Sequence, residues 1–154
     1  MPEISPARAA DLDEIKAMFR EYSELVAEAL CFQGFDRELE GLPGTYAPPS
    51  GALLIARDGA AAAGCVALRR IDARTGEMKR MYVRAAWRGK GLGRRLALAV
   101  IEEARRRGHA RLVLDTLPKL GAAIALYRDL GFLESAPYLE RPTPGALCFE
   151  LSLS

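Results

Sequence analysis

Residues 88–95 read Arg-Gly-Lys-Gly-Leu-Gly-Arg-Arg, with glycine at every second position among basic side chains. Such a segment can hold phosphate. Glycine adopts positive φ freely, so Gly89, Gly91 and Gly93 let successive backbone N–H groups converge on one anion. A helix-like run follows, and the unbonded N–H groups of a helix start add partial positive charge at the same spot. Arg88, Lys90 and Arg94 would otherwise oppose the helix dipole, which disfavours cations at an N-terminus; an anionic ligand removes that conflict.

The elements on either side must position this turn. Before it, Glu77 to Val83 reads as a strand with alternate residues on opposite faces. After it, Leu92, Leu96, Val100 and Ala104 form one stripe of a helix from about Gly91 to Arg107. Upstream, Glu3-Ile4-Ser5 suits a short strand, and Asp11 with Glu14 opens a helix in the manner of a capping box. Leu12, Ile15, Phe19, Tyr22 and Val26 give that helix one buried face, and its end is expected near Leu30. From Cys31 to Ser50, glycine and proline leave room only for a helical turn around Asp36 to Glu40. A long irregular stretch in a compact domain is usually functional, so part of a substrate wall is expected here.

Leu53 to Ala56 and Gly64 to Leu68 make a hairpin about Arg57-Asp58-Gly59, and a second turn at Thr75-Gly76 leads into Glu77. Leu112 to Thr116 is nearly continuous apolar strand, as expected where both sheet faces are covered. Pro118 stands at the beginning of a helix whose Ala123, Leu126, Tyr127 and Leu130 share a side, with Gly131 as its C-terminal cap. Phe132-Leu133 and Leu147 to Leu151 supply the last strands. The order β-α-βββ-α-β-α-β(β) predicts an α/β fold, a mixed sheet with helices on its faces.

At 154 residues, 50% apolar and 27% charged, the chain fits a single domain over residues 1–154. Its net charge of +2 argues for a small phosphorylated ligand over a polyanion. With Trp87 the one aromatic residue beside the basic stretch, nucleic acid is not expected as a partner. Met1-Pro2-Glu3-Ile4 lacks the basic start and apolar run of a signal peptide, and apolar stretches are broken by charge; a cytoplasmic protein without membrane partners is expected. Cys31, Cys65 and Cys148 lack paired metal-ligand spacing and read as reduced, buried thiols. His109, just past the cationic run Arg105 to Arg107, is expected to face solvent or sit at the helix C-terminus, and the arginines to be solvated.

Two motifs resemble the GNAT superfamily of acyl-CoA-dependent N-acyltransferases. Arg88-Gly89-Lys90-Gly91-Leu92-Gly93 is similar to its R/Q-x-x-G-x-G/A signature, and Ala123-Ile124-Ala125-Leu126-Tyr127-Arg128-Asp129-Leu130-Gly131-Phe132 to its A-x-x-L-Y-x-x-x-G-F element. The resemblance covers essentially the whole chain. It implies a mostly antiparallel central sheet with helices on both faces, and acetyl-CoA as co-substrate with no metal. Backbone groups of Met81, Tyr82 and Val83 would pair with the pantetheine arm, and amides from Arg88 to Arg94 would hold the diphosphate. Ala123 would stand against the cofactor. One position departs from the pattern: Leu120 replaces the asparagine frequent three residues before Ala123, which removes an amide contact to the arm.

Moving an acetyl group from a thioester to an amine needs an uncharged amine, a donor for the developing oxyanion, and a proton for the leaving thiolate. Glu77 matches the family's catalytic glutamate and is expected to take the amine proton, directly or through water. Tyr127 is the matching acid for the sulfur, and the backbone N–H of Met81 the oxyanion donor. A dinucleotide-binding unit ending at Asp115 is disfavoured, because no two-residue gap precedes the last glycine. A P-loop lacks its Gly-Lys-Ser/Thr. A non-catalytic acyl-CoA-binding module stays open as the alternative. Tyr22, the Cys31 to Tyr46 loop, Arg69, Tyr138 and Arg141 are candidate pocket residues for an acceptor that could be a small amine, polyamine, amino acid or peptide N-terminus. The apolar final strand could pair across a homodimer.

Overall fold

The computed structural model describes residues 1–26, 35–140, 142 and 144–153. The expected helix end near Leu30, together with Cys31 and Arg141, lies outside the described residues.

Seven strands are described: β1 (Glu3–Pro6), β2 (Ala52–Asp58), β3 (Ala61–Asp72), β4 (Thr75–Val83), β5 (Arg111–Thr116), β6 (Leu133–Ser135) and β7 (Leu147–Ser152). They form one sheet in the order β1-β2-β3-β4-β5-β7-β6, antiparallel except where β4 runs parallel to β5. The described helices are α1 (Leu12–Val26), α2 (Phe35–Glu40), α3 (Leu92–Arg106) and α4 (Gly121–Asp129). This is the mixed α/β sheet that the strand order predicts, mostly antiparallel as the family resemblance implies.

Alternation along the strands loads both faces of the sheet. On one, the α3 stripe of Leu92, Leu96, Val100 and Ala104, with Tyr127 of α4, meets Leu54, Val66, Leu68, Met78, Leu112 and Leu114. On the other, Ile15, Met18 and Phe19 of α1 and Leu39 of α2 meet Leu53, Ile55, Cys65 and Ala67. Each fully buried Leu, Ile, Val, Met or Phe among them stabilises the fold by about 1.5–3 kcal/mol. Among the described residues, no helix is long and apolar enough to cross a membrane.

Two departures from a regular sheet shape the site. The first is a parting of strands: β4 pairs with β5 only from Thr75↔Arg111 to Glu77↔Val113, although β4 continues to Val83 and β5 to Thr116. Beyond Glu77 the two strands diverge, and the β4 edge that faces β5 is open. The second is a bulge. Cys65 stands opposite Tyr82 but Ala67 opposite Lys79, so β4 carries one extra residue there, and Arg80 takes φ 59°. A left-handed non-glycine residue costs about 1–2 kcal/mol. Arg80 is held there by two hydrogen bonds of 3.0 Å to Glu38 of α2, and its carbonyl accepts from the Cys65 thiol at 3.6 Å.

Several expectations need correction. Thr75 and Gly76 belong to β4, and the turn falls two residues earlier at Ala73-Arg74. A side chain at Gly76 would press on the His109 ring, 3.0 Å from its Cδ2, so the two residues pack as a pair. His109 is accordingly only 6% exposed instead of facing solvent, and burial lowers its pKa. Arg107 is not solvated either: it pairs with Glu103 at 2.6 Å and donates to the carbonyls of Pro49 and Gly51, tying the end of α3 to the entry of β2. Pro118 precedes α4, which starts at Gly121, instead of occupying its first turn. The final strand β7 lies between β5 and β6, and β6 covers it only from Cys148 to Glu150.

Candidate active site

The glycine turn forms as its composition dictates. Gly89 and Gly91 take φ of 76° and 84°, in the left-handed region, and Gly91 caps α3 without any side-chain hydrogen bond. The first intrahelical bond reaches back from Arg95 N–H to the Gly91 carbonyl, so the N–H groups of Leu92, Gly93 and Arg94 have no helical acceptor. They stand at a cavity of about 600 Å³ between the open edge of β4, the start of α3 and the start of α4. That size suits a bound cofactor.

Met81, Tyr82, Val83, Arg88, Gly89, Gly91, Leu92, Gly93, Arg94 and Ala123 all line this cavity. Lys90 does not; it lines a smaller neighbouring recess with Trp87 and Arg95. Tyr22, Lys119 and Leu120 are also in the wall. Lys119 lacked any signal in the sequence, since its place depends on how α4 approaches α3. The cations are partly engaged by the protein itself: Arg88 donates to the Val83 carbonyl at 2.7 Å and stacks on Tyr82, and Arg94 pairs with Asp129. A larger open groove at the far end of the sheet, over Asp72, Arg74, Arg111 and Glu150, contains none of the glycine turn, and Arg111 and Glu150 pair with each other inside it.

Glu77 sits where β4 and β5 part and is 0% exposed. It pairs with neither Lys79 nor Arg80. Its Oε1 accepts from Arg69 Nε at 2.5 Å, from the cross-strand position on β3, and its Oε2 accepts from the Tyr138 hydroxyl. The structure thus brings together three residues that the sequence offers separately. Although burial opposes the charge of Arg69, the Glu77 carboxylate outweighs it and raises the Arg69 pKa. Burial, then the Glu77 charge, push the Tyr138 hydroxyl far above the usual phenol range.

Asp115, on the diverging part of β5, is the second carboxylate here. Burial raises its pKa and the Glu77 charge adds to the effect. Tyr127 is buried against Phe132 and Phe149, with ring centroids at 5.8 and 6.4 Å, and burial raises its pKa. It is not in the cavity wall, whereas Leu126 and Ala123 of the same helix are. Burial likewise pushes Tyr22 up to about 12.

An open strand edge, an uncapped helix start behind a glycine turn and a cavity joining them fit an elongated, apolar-armed diphosphate such as an acyl-CoA. The class so defined is an acyl-CoA-dependent transferase. The chain matches the Acetyltransferase (GNAT) family over residues 12–132 and belongs to it. It is 38% identical over 146 residues to an uncharacterised N-acetyltransferase of Schizosaccharomyces pombe, covering 94% of this chain and 90% of that one. It is 33% identical over 141 residues to the IAA acetyltransferase of Azospirillum brasilense, covering 90% of each. In fold it is similar to yncA of Salmonella typhimurium, solved with its cofactor acetyl-CoA, with TM-score 0.75, 24% identity and coverage of 100% of this chain and 95% of that one. The protein is an N-acetyltransferase that uses acetyl-CoA as co-substrate.

Proposed function

We propose that a single domain spanning residues 1–154 moves the acetyl group to a primary amine of a small molecule or peptide by direct attack, with Glu77 as base and Tyr127 as acid. Acetyl-CoA supplies the activated acetyl thioester. The N–H groups at the start of α3 bind its diphosphate, with Arg88 and Arg94 at the rim and Lys90 in the adjoining recess. The open edge of β4 at Met81, Tyr82 and Val83 orients the pantetheine arm as an added strand, and Ala123 and Leu120 pack on it. The Met81 N–H, just after the bulge, stabilises charge developing on the carbonyl oxygen.

Glu77 carries the reading by its position: it is the last β4 residue paired with β5, where the two strands begin to part ahead of Met81, although it is not itself in the cavity wall. A carboxylate there can take the proton that an ammonium must lose before it attacks. Burial raises the Tyr127 pKa, so the hydroxyl stays protonated, and it serves as the acid only if the leaving sulfur is positioned against it.

The test is thiol release from acetyl-CoA across a panel of alkylamines, polyamines, amino acids and short peptides with free N-termini. Wild-type protein is expected to release thiol with one class, and Glu77→Gln to do so ~100-fold more slowly at neutral pH. Undiminished turnover and an unchanged pH–rate profile in Glu77→Gln remove the base assignment. Saturable acetyl-CoA binding without release for any amine supports a non-catalytic binding module instead.

A further inference from the structure

We propose that the hydroxyl of Tyr138 relays the proton from the acceptor amine to Glu77. This rests on Glu77 being the base and goes beyond it by naming the route.

The buried carboxylate can be reached only through its neighbours. Glu77 is 0% exposed, so a proton arriving from an amine in the open part of the site must pass through a group already in contact with it. Two such groups touch it among the described residues: Arg69 at Oε1 and Tyr138 at Oε2. A guanidinium has donors only and does not give up a proton in proteins. A phenolic hydroxyl both donates and accepts, so it can take one proton as it passes another on. Tyr138 is also placed for the task. It stands in the connection between β6 and β7, half-buried, with its hydroxyl on the carboxylate and part of the residue open to solvent.

The step balances. An N–H bond of the ammonium breaks towards Tyr138 Oη while the Tyr138 O–H proton passes to Glu77 Oε2. Tyr138 ends neutral, Glu77 ends protonated, and the nitrogen keeps the lone pair with which it attacks. Free phenolate is disfavoured by burial and by the Glu77 charge, so the two protons move together. Arg69, bonded to Oε1, holds the carboxylate in place and is a positioning residue. The other titratable or charged groups around this centre are Asp115 on β5, Cys148 on β7, Tyr46 ahead of β2, and Lys79 and Arg80 on β4.

The experiment compares pH–rate profiles of wild type, Tyr138→Phe, Glu77→Gln, the double variant and Asp115→Asn, using the amine that releases thiol fastest in the panel. Calorimetric acetyl-CoA affinity checks that each variant is folded. Tyr138→Phe should lose ~100-fold in kcat at neutral pH, with the loss shrinking as alkali deprotonates the amine in solution. Acetyl-CoA affinity should not change. Glu77→Gln should show the same alkaline shift, and the double variant should be no slower than the slower single one. A wild-type profile in Tyr138→Phe alongside a shifted Glu77→Gln overturns the relay and leaves the base in place. So does a Tyr138→Phe loss that is equal at every pH, which marks a structural role. If Glu77→Gln is unshifted and Asp115→Asn carries the shift, or if wild type releases no thiol with any amine, both readings fall.

Discussion

Helix α3 has a left-handed glycine at each end, and the two should fail differently when replaced by alanine. Gly91 caps the N-terminus at φ 84°, and Gly108 follows the C-terminus at φ 78°. A Cβ at either position meets nothing within 4 Å, so neither replacement causes a clash. The cost is the left-handed backbone alone, about 1–2 kcal/mol for a residue with a side chain. What differs is whether the neighbours let the chain relax. Gly89, Lys90 and Gly91 are all exposed, so the turn can rotate out of the strained region at little expense to the fold. Gly108 is followed by His109, buried and donating its backbone N–H to the Ala104 carbonyl at 3.1 Å, so it has no such freedom. Gly108→Ala should therefore lower Tm by about 2–8 °C, taking 2–4 °C per kcal/mol for a chain of this size. Its acetyl-CoA affinity should be unchanged. Gly91→Ala should scarcely move Tm, but binding must restore the turn against that same 1–2 kcal/mol, so Kd for acetyl-CoA should rise about 5- to 30-fold. Ligand-free thermal melts and isothermal calorimetry with acetyl-CoA read the two quantities separately. A Gly91→Ala protein that binds acetyl-CoA like wild type would refute the placement of the diphosphate on this turn.

Tyr127→Phe removes the hydroxyl but keeps the ring between Phe132 and Phe149, so kcat should fall ~100-fold with acetyl-CoA affinity nearly constant, measured by stopped thiol release and calorimetry. A loss of affinity with kcat preserved would count against the acid role. Asp115→Asn should raise Tm at neutral pH. Burial raises the Asp115 pKa above 3.8, so its contribution is full below that value and is lost as pH rises through the higher folded-state pKa. The Tm difference between Asn and Asp should therefore close as the solution is acidified towards 3.8, and a gap that is constant with pH would show the effect is not ionic.

Much of this site was local enough to read from residue order. The turn at Arg88 to Arg94 needs only alternating glycines and a following amphipathic stripe, because positive φ and the missing helix-start acceptors are properties of a few adjacent residues. The buried faces of α1 and α3 follow from spacing for the same reason, and so does the element order that makes the sheet mixed. A displacement of two residues was enough to hide the surroundings of Glu77. A turn at Thr75-Gly76 would put Glu77 opposite Arg74, whereas the turn at Ala73-Arg74 together with the register shift between Arg70 and Asp72 puts it opposite Arg69, its ion-pair partner. Strand register is settled by which face the core accepts, and that choice is not local. His109 and Gly76 make the same point, each explaining the other only after β4 is laid beside the end of α3.

Residue order by itself determined the elements, the glycine turn and the family motifs, since these depend on backbone preferences and periodicity within one segment. Only the folded chain decided that β4 and β5 part after Glu77, that α4 closes the cavity over Met81, and that Tyr138 reaches Glu77 from 61 residues away. Those contacts join segments whose meeting is set by packing of the whole sheet, and no short stretch of sequence encodes them.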